Sequence, residues 1–365
     1  MKIARIDVYR FSLPMEPLNI SLGTVDEARN ILVRIHSDAG LYGIGEGSPL
    51  RMIVGETQYT AFATAQNLAR LLKGRNPLAI EELVAEMNAR VPESPTTRSA
   101  FDMALHDLAA KLAGAPLYRF FGGERRRLFT DQTVGIHPPA EMAVAARRLK
   151  ERGAPAIKVK LGTSPDEDVT RVAAVRKAIG PRIPIRVDAN QGWSYEAAVA
   201  VLNRISDMGV EYCEQPTRRG EDDELKRVRQ SSPVPIMADE SVFDHHDASR
   251  LASMGACDYF NIKLAKSGGL HTALKVNAIA ERAGIRCMVG CMAESRLGLS
   301  ASAHLAAARP NIAFIDLDSA LVHRQDPVRG GIRYGEGLEI ILPEAPGLGT
   351  DVDEAFLAGL DHVSV

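Results

Sequence analysis

Cysteine is scarce in this 365-residue sequence: Cys213, Cys257, Cys287 and Cys291 are the whole supply, and no two form a CxxC pair. That excludes a disulfide framework and a thiolate zinc cluster, and the four thiols read as reduced and mostly buried. An excess of one charge is also lacking, since 44 basic residues face 46 acidic ones for a formal balance of −2. Without a dense Lys/Arg block there is no electrostatic footprint for nucleic acid or an anionic membrane, and neither is expected as a partner. No apolar run reaches the length of a bilayer span. Arg5, Asp7 and Arg10 interrupt the opening MKIARIDVYRF where a secretory core would be apolar, so a cytoplasmic location is the expectation. What remains is an ordinary globular composition, 45% hydrophobic and 25% charged, long enough to bury a large core. A small molecule is the expected partner.

The texture of the chain changes near Thr130. Before it, NILVRIH alternates apolar and polar residues and, with Gly40 and LYGIGEGSP, predicts a hairpin; 59–74, 78–90 and 97–114 then read as helices. GIGEGS is not spaced as GxGxxG and reads as turn chemistry. After Thr130, short β-rich runs alternate with amphipathic segments, the pattern of βα units and a parallel sheet. The strand candidates are TDQTVGI, AIKVKLG, PIRVDAN, VEYCEQP, PIMADES, DYFNIKL, RCMVGCM and IAFIDLD. Ser164, Pro165, Glu167 and Gly180 predict one helix with a capping box and a glycine stop. No eighth helix is evident in the Gly/Pro-rich text after Asp318, and the tail is expected to fold back on the N-terminal unit. An α+β capping domain of 1–125, completed by 325–365, and a barrel of 126–324 are the expected domains.

Charged residues recur at the C-terminal ends of these strands: Lys158 and Lys160, Asp188, Glu214, Asp239, Lys263, Glu294, then Asp316 and Asp318. From Lys160 to Asp316 the gaps are 28, 26, 25, 24, 31 and 22 residues, each one βα repeat long. Any one of them alone reads as a strand cap meeting solvent. In a parallel barrel all such ends share one rim, where barrel enzymes place their chemistry, so the ordered set implies a shared site. Asp188, Glu214 and Asp239 come from consecutive strands and can surround one hard cation, for which Mg²⁺ is the natural choice. No His or Cys stands at those three ends, which argues against zinc. Lys158 and Lys160, two apart, project to the same barrel interior, and Lys263 enters from the opposite side. Bases on two faces of a carbonyl compound suit proton abstraction beside a carboxylate and inversion at carbon. Lys266 reads as a solvated loop charge.

KVK at 158–160, DANQGW at 188–193, EYCEQP at 211–216, MADES at 237–241, NIKLAKSGG at 261–269 and SRLGLSASAH at 295–304 together resemble the muconate-lactonizing branch of the enolase superfamily. The resemblance runs essentially the whole length of the chain. It implies a modified (β/α)7β TIM-type barrel under a capping domain, with Lys160 and Lys263 as the acid/base pair. It further implies Lys158 as support for an enolate and Mg²⁺ held by Asp188, Glu214 and Asp239; the use of a Lys base with Mg²⁺ is a known property of that superfamily. The Asp316/Asp318 pair is similar to that of the dipeptide epimerases, where it receives the substrate's α-ammonium. By the same resemblance Thr133, Cys291 and Ala293 line the substrate. Members acting on Ala-Glu carry an Arg where this chain has Gly23, so an acidic side chain is not expected. Leu18, Ile20, Met52, Ile53 and Ala293 give a mainly apolar lining to which Arg51 could add a charge. The expected substrate is an Ala-X dipeptide with X uncharged, epimerised at its C-terminal residue.

Other lysine-based members of the branch are the main alternative: N-acylamino acid racemases, o-succinylbenzoate synthases and cycloisomerases. Their substrates offer Asp316 and Asp318 no ammonium, and two buried anions would then be unfavourable. A sugar-acid dehydratase is disfavoured because RCMVGCMAES holds no His. A non-catalytic metal and carboxylate binder is the third class. His245 and His246 read as exposed residues opening a helix, and ERRR at 124–127 as a salt-bridged linker. Relatives in that branch are commonly oligomeric, which leaves a homo-oligomer open, but no patch of the sequence is diagnostic of one and the subunit count is not fixed by it.

Overall fold

The computed structural model describes residues 1–365. Eight parallel strands follow one another around a single curled sheet: Gln132–Val134, Ile157–Lys160, Ile185–Asp188, Val210–Glu214, Ile236–Ala238, Tyr259–Ile262, Arg286–Val289 and Ile312–Ile315. Each lies within one of the eight candidate runs. A backbone hydrogen bond from Asp131 N–H to Ile315 O (3.2 Å) joins the last strand to the first and closes the ring. Helices follow the first seven strands; the eighth is followed by one 3₁₀ turn, Ser319–Leu321. This is the (β/α)7β barrel.

The N-terminal residues form an antiparallel sheet from Ile3–Ile20, Gly23–Ser37 and Tyr42–Gly47, backed by helices Gln58–Leu72, Ile80–Arg90 and Pro95–Leu112. A separate core of 19 buried residues fills the space between that sheet and its helices. GIGEG, expected as turn chemistry, is instead the third strand. Its glycines are there for close approach: a Cβ on Gly43 or Gly45 would meet the Ala104 or Ala100 carbonyl at 1.9 or 2.0 Å. The tail does return to this sheet, with Asp361–Ser364 pairing antiparallel to Asp7–Arg10. Glu339 and Ile340 pair with Phe129 and Leu128 at the barrel entry.

The helix Pro165–Ile179 starts after Ser164 and stops at Gly180, but the expected capping box does not form, since Ser164 makes no side-chain cap. Asp168 takes over: its carboxylate accepts from Gly162 N–H and Thr163 N–H, both at 3.0 Å, and from Trp193 Nε1–H at 2.9 Å. Of the ERRR linker, Arg125 and Arg127 pair with Glu344 and Glu339, and Arg126 donates to the Ala306 and Ile312 carbonyls. His245 and His246 open the helix His245–Met254. All four cysteines are free, three of them buried and Cys291 half-buried.

Candidate active site

Side chains alternate along a strand, so the residue two before each rim residue shares its inward face. Tyr212, Met237, Met288 and Phe314 fill the barrel in this way below the site. Arg186 lies with its guanidinium 5.6 Å from the Tyr212 ring centre and 5.3 Å from that of Phe314, paired to Asp131 and Glu211. The layer above carries the charges. Lys160, Asp188 and Glu214 stand in register across three neighbouring strands, and Asp239 follows Met237, the partner of Glu214, by two.

Lys158 is 1% exposed and touches Glu214 Oε2 at 2.7 Å, Asp316 Oδ2 at 2.7 Å and Asp188 Oδ2 at 3.2 Å. Lys160 Nζ donates to Asp188 Oδ2 at 2.6 Å and to Asn190 Oδ1 at 3.1 Å. Lys263 Nζ donates to Asp239 Oδ2 at 2.8 Å. The strands of Lys160 and Lys263 are second and sixth of eight, hence on opposite walls, and both side chains border one cavity. Thr133, Cys291, Ala293, Asp316 and Asp318 border the same cavity. Asp318 Oδ2 accepts from Thr133 N–H at 2.7 Å, and Cys291 Sγ lies 4.0 Å from Asp318 Oδ1.

Burial alone would raise every carboxyl here. At Asp188, Lys160 and Lys158 outweigh it and hold the group below its ordinary value. Lys263 and Lys266 do the same for Asp239, and Lys158 brings Asp316 down to about 2. Glu214 is pushed up to about 7 by burial and by Asp188, and Asp318 to about 6 by burial and by Asp316. Burial opposes the ammonium of Lys158, but Asp316, Glu214 and Asp188 keep its pKa well above the usual lysine value.

Two observations fit a divalent cation on Asp188, Glu214 and Asp239. All three are fully buried, and burial together with Asp188 pushes Glu214 toward its neutral form, which a bound cation would reverse. Glu214 Oε2 and Asp239 Oδ1 lie 2.7 and 2.8 Å from ammonium groups yet accept no well-aligned hydrogen bond. Oxygen-only donors suit Mg²⁺.

Lys266, expected in solvent, is 1% exposed. The short helix Leu264–Ser267 turns it inward, where it donates to the Val242 and Asn261 carbonyls at 2.8 Å and to that of Asp239, and pairs with Asp239 Oδ1 at 2.8 Å. Of the expected apolar lining, Leu18, Ile20, Ile53 and Ala293 border the cavity, joined by Met15, Val25, Leu50 and Met292, which sequence reading missed. Met52 and Arg51 border an adjoining groove with Thr24 and Asp26. Gly23 lies outside the cavity lining, at the exposed bend after Ile20, with φ +141°. Two further polar residues were missed. Asn190, at φ 40°, accepts from Lys160 and donates to Glu240 at 3.3 Å. Glu240 is raised to about 8 by burial and by Asp239. The left-handed step after Asp188 in DAN was the available signal for Asn190, since Asn tolerates it.

Residues 5–122 match the N-terminal domain of the mandelate racemase/muconate lactonizing enzyme family, and residues 141–356 match the enolase C-terminal domain-like family. The chain belongs to the enolase superfamily. This superfamily member is 42% identical over 367 residues to the D-Ala-D/L-Ala epimerase of Cytophaga hutchinsonii, with all of both chains covered. It is 40% identical to the hydrophobic dipeptide epimerase of Enterococcus faecalis, over 96% of this chain and 99% of that one. The crystal structure of the Cytophaga hutchinsonii dipeptide epimerase with Mg and D-Ala-L-Val superposes with a TM-score of 0.99 over 100% of each chain.

Proposed function

We propose that this superfamily member is a Mg²⁺-dependent dipeptide epimerase, an isomerase that inverts the α-carbon of the C-terminal residue of an Ala-X dipeptide with X uncharged. One observation carries the reading: buried Lys160 and Lys263 face the same cavity from opposite walls, with Asp316 and Asp318 beside them. Bound at Asp188, Glu214 and Asp239, Mg²⁺ would supply charge neutralisation for a substrate carboxylate, acidifying the adjacent C–H. Lys160 Nζ takes the α-proton from one face and Lys263 Nζ returns one to the other, the roles exchanging in the reverse direction. Lys158, fixed by three carboxylates, offers its ammonium to the negative charge that develops on the substrate. Asp316 and Asp318 receive the substrate ammonium, and Thr133, Cys291 and Ala293 shape the wall beside it. Relatives named for Ala-Ala and for hydrophobic dipeptides, together with the apolar lining, support an uncharged X. Under the same reading residues 1–125 with 325–365 are the cap over a catalytic barrel of 126–324, and the four unpaired thiols suit a cytoplasmic enzyme.

The test is a dipeptide library incubated with Mg²⁺ and enzyme in D₂O, with deuterium at the X α-carbon read by mass spectrometry. Exchange is expected for Ala-X with apolar X and is expected to vanish in Lys160→Ala and Lys263→Ala. A preference for Glu or Asp at X, or exchange unchanged in both variants, overturns the reading.

A further inference from the structure

The loop after the seventh barrel strand carries Cys291, Met292 and Ala293 into the cavity wall. Its backbone is held by the other domain. Asn30 Nδ2 donates to the Ala293 carbonyl at 3.0 Å, and Ala293 N–H donates to Ser48 Oγ at 3.2 Å. Two residues on, Ser295 N–H and its hydroxyl donate to the two oxygens of Glu46 at 2.9 and 2.7 Å, and Gly298 N–H donates to Glu46 Oε2 at 2.8 Å. Asn30 Nδ2 also donates to Glu46 Oε1 at 2.7 Å. The Glu46 carboxylate thus sits on the N-terminus of helix Arg296–Ala308, where unpaired N–H groups and the helix dipole favour an anion. Asn30, Glu46 and Ser48 are all buried, at 0%, 1% and 2% exposed. A Cβ on Gly298 would meet the Glu294 side chain at 2.8 and 2.9 Å and Glu46 Oε2 at 3.1 Å, so glycine leaves room for both carboxylates.

We infer that Asn30, Glu46 and Ser48 are positioning residues for substrate: by fixing the backbone of Ala293 from the capping sheet, they set where the cavity wall meets the dipeptide. The inference rests on the dipeptide reading above. None of the three borders the cavity that holds Lys160 and Lys263, and Ser48 alone reaches the adjoining groove, so their shared link to the cavity is the Ala293 backbone. Neither Lys160 nor Lys263 is bonded to them. Their loss therefore belongs in KM and not in kcat.

Ser48→Ala removes the acceptor of the Ala293 N–H, and Asn30→Ala removes the donor to the carbonyl of the same residue together with its bond to Glu46. Ser48→Ala, which loses one bond, is expected to raise KM about tenfold for the best Ala-X substrate, and Asn30→Ala, which loses two, at least as much, with kcat within about twofold in both. Ser48→Thr, which restores the hydroxyl, is expected to return KM to the wild-type value. A parallel measurement needs no substrate: amide hydrogen exchange of segment 290–298 is expected to quicken in both alanine variants. Unchanged KM in the folded alanine variants, or unchanged exchange of that segment, overturns the inference and leaves the three residues as domain glue. A wild-type enzyme that turns over no dipeptide counts against the function, while the exchange measurement still decides the clamp.

Discussion

Burial and the neighbouring Asp316 raise the Asp318 carboxyl to about 6, close to the pH at which the enzyme would work. A substrate ammonium stays charged through that range, with an ordinary pKa near 8, so within that ion pair the carboxyl is the group that titrates. As pH falls through about 6, Asp318 takes a proton and loses its attraction for the cation. KM is therefore expected to climb by up to about tenfold per pH unit below 6. Asp318→Asn should show a high KM that no longer varies between pH 7 and 5; steady-state kinetics across that range checks both. Lys266 gives a second expectation, in stability. Its ammonium donates to three carbonyls and is ion-paired with Asp239 in a site that is 1% exposed, so Lys266→Met leaves three carbonyls without their donor and the buried carboxylate with Lys263 alone. A loss of about 3–5 kcal/mol is expected by denaturant titration, and a loss below about 1 kcal/mol would contradict the pairing. The three buried lysines Lys160, Lys263 and Lys266 differ in legibility for a physical reason. Lys160 and Lys263 announce themselves by strand periodicity, whereas Lys266 depends on a four-residue helix that no period marks.

The eight barrel strands were readable because they are short β-rich runs spaced by one helix, most of them ending in or next to a charge. What local text does not reveal is which side chain satisfies a loop. Ser164 and Glu167 have the spacing of a capping box, yet Asp168, one residue later, binds Gly162, Thr163, Arg171 and Trp193 together. It wins because the loop ahead of the helix curls over its first turn, presenting two N–H groups to one buried carboxylate. Asp168→Ala is accordingly expected to cost about 2–4 kcal/mol, the sum of several unsatisfied partners, while Ser164→Ala costs a few tenths. Trp193 is the single tryptophan and donates to Asp168, so its fluorescence reports the change directly. GIGEG failed as a turn for a similar reason: its glycines answer to a helix some 55 residues further on, and nothing in the neighbouring residues says so.

Across the whole molecule, the missing eighth helix was legible from glycine and proline, but the exact destination of the tail was not, because Asp7 and Ser364 pair across the full chain. His304 sits where such distant pieces meet. Its Nδ1 accepts from Tyr118 N–H at 3.2 Å and its Nε2 bonds the Leu348 carbonyl at 3.3 Å, joining a barrel helix to the short helix Leu117–Phe120 and to the tail. Those two bonds require the neutral ring with its proton on Nε2. Burial lowers its pKa to about 4, against about 6.5 in the unfolded chain. Between those values the unfolded state binds the proton and the folded state does not. The stability that a neutral His304 allows is thus complete above pH 6.5 and is lost as pH falls toward 4, by about 3 kcal/mol in all. Carboxylates add their own acid sensitivity, so the difference between two proteins is the measurement that isolates this residue. Gln in place of His304 offers an oxygen to Tyr118 N–H and an N–H to Leu348 without titrating. His304→Gln is expected to be somewhat less stable than wild type at pH 7, and its unfolding free energy should fall less steeply between pH 6.5 and 4. Parallel slopes for the two proteins over that window would show that the junction tolerates a charged ring.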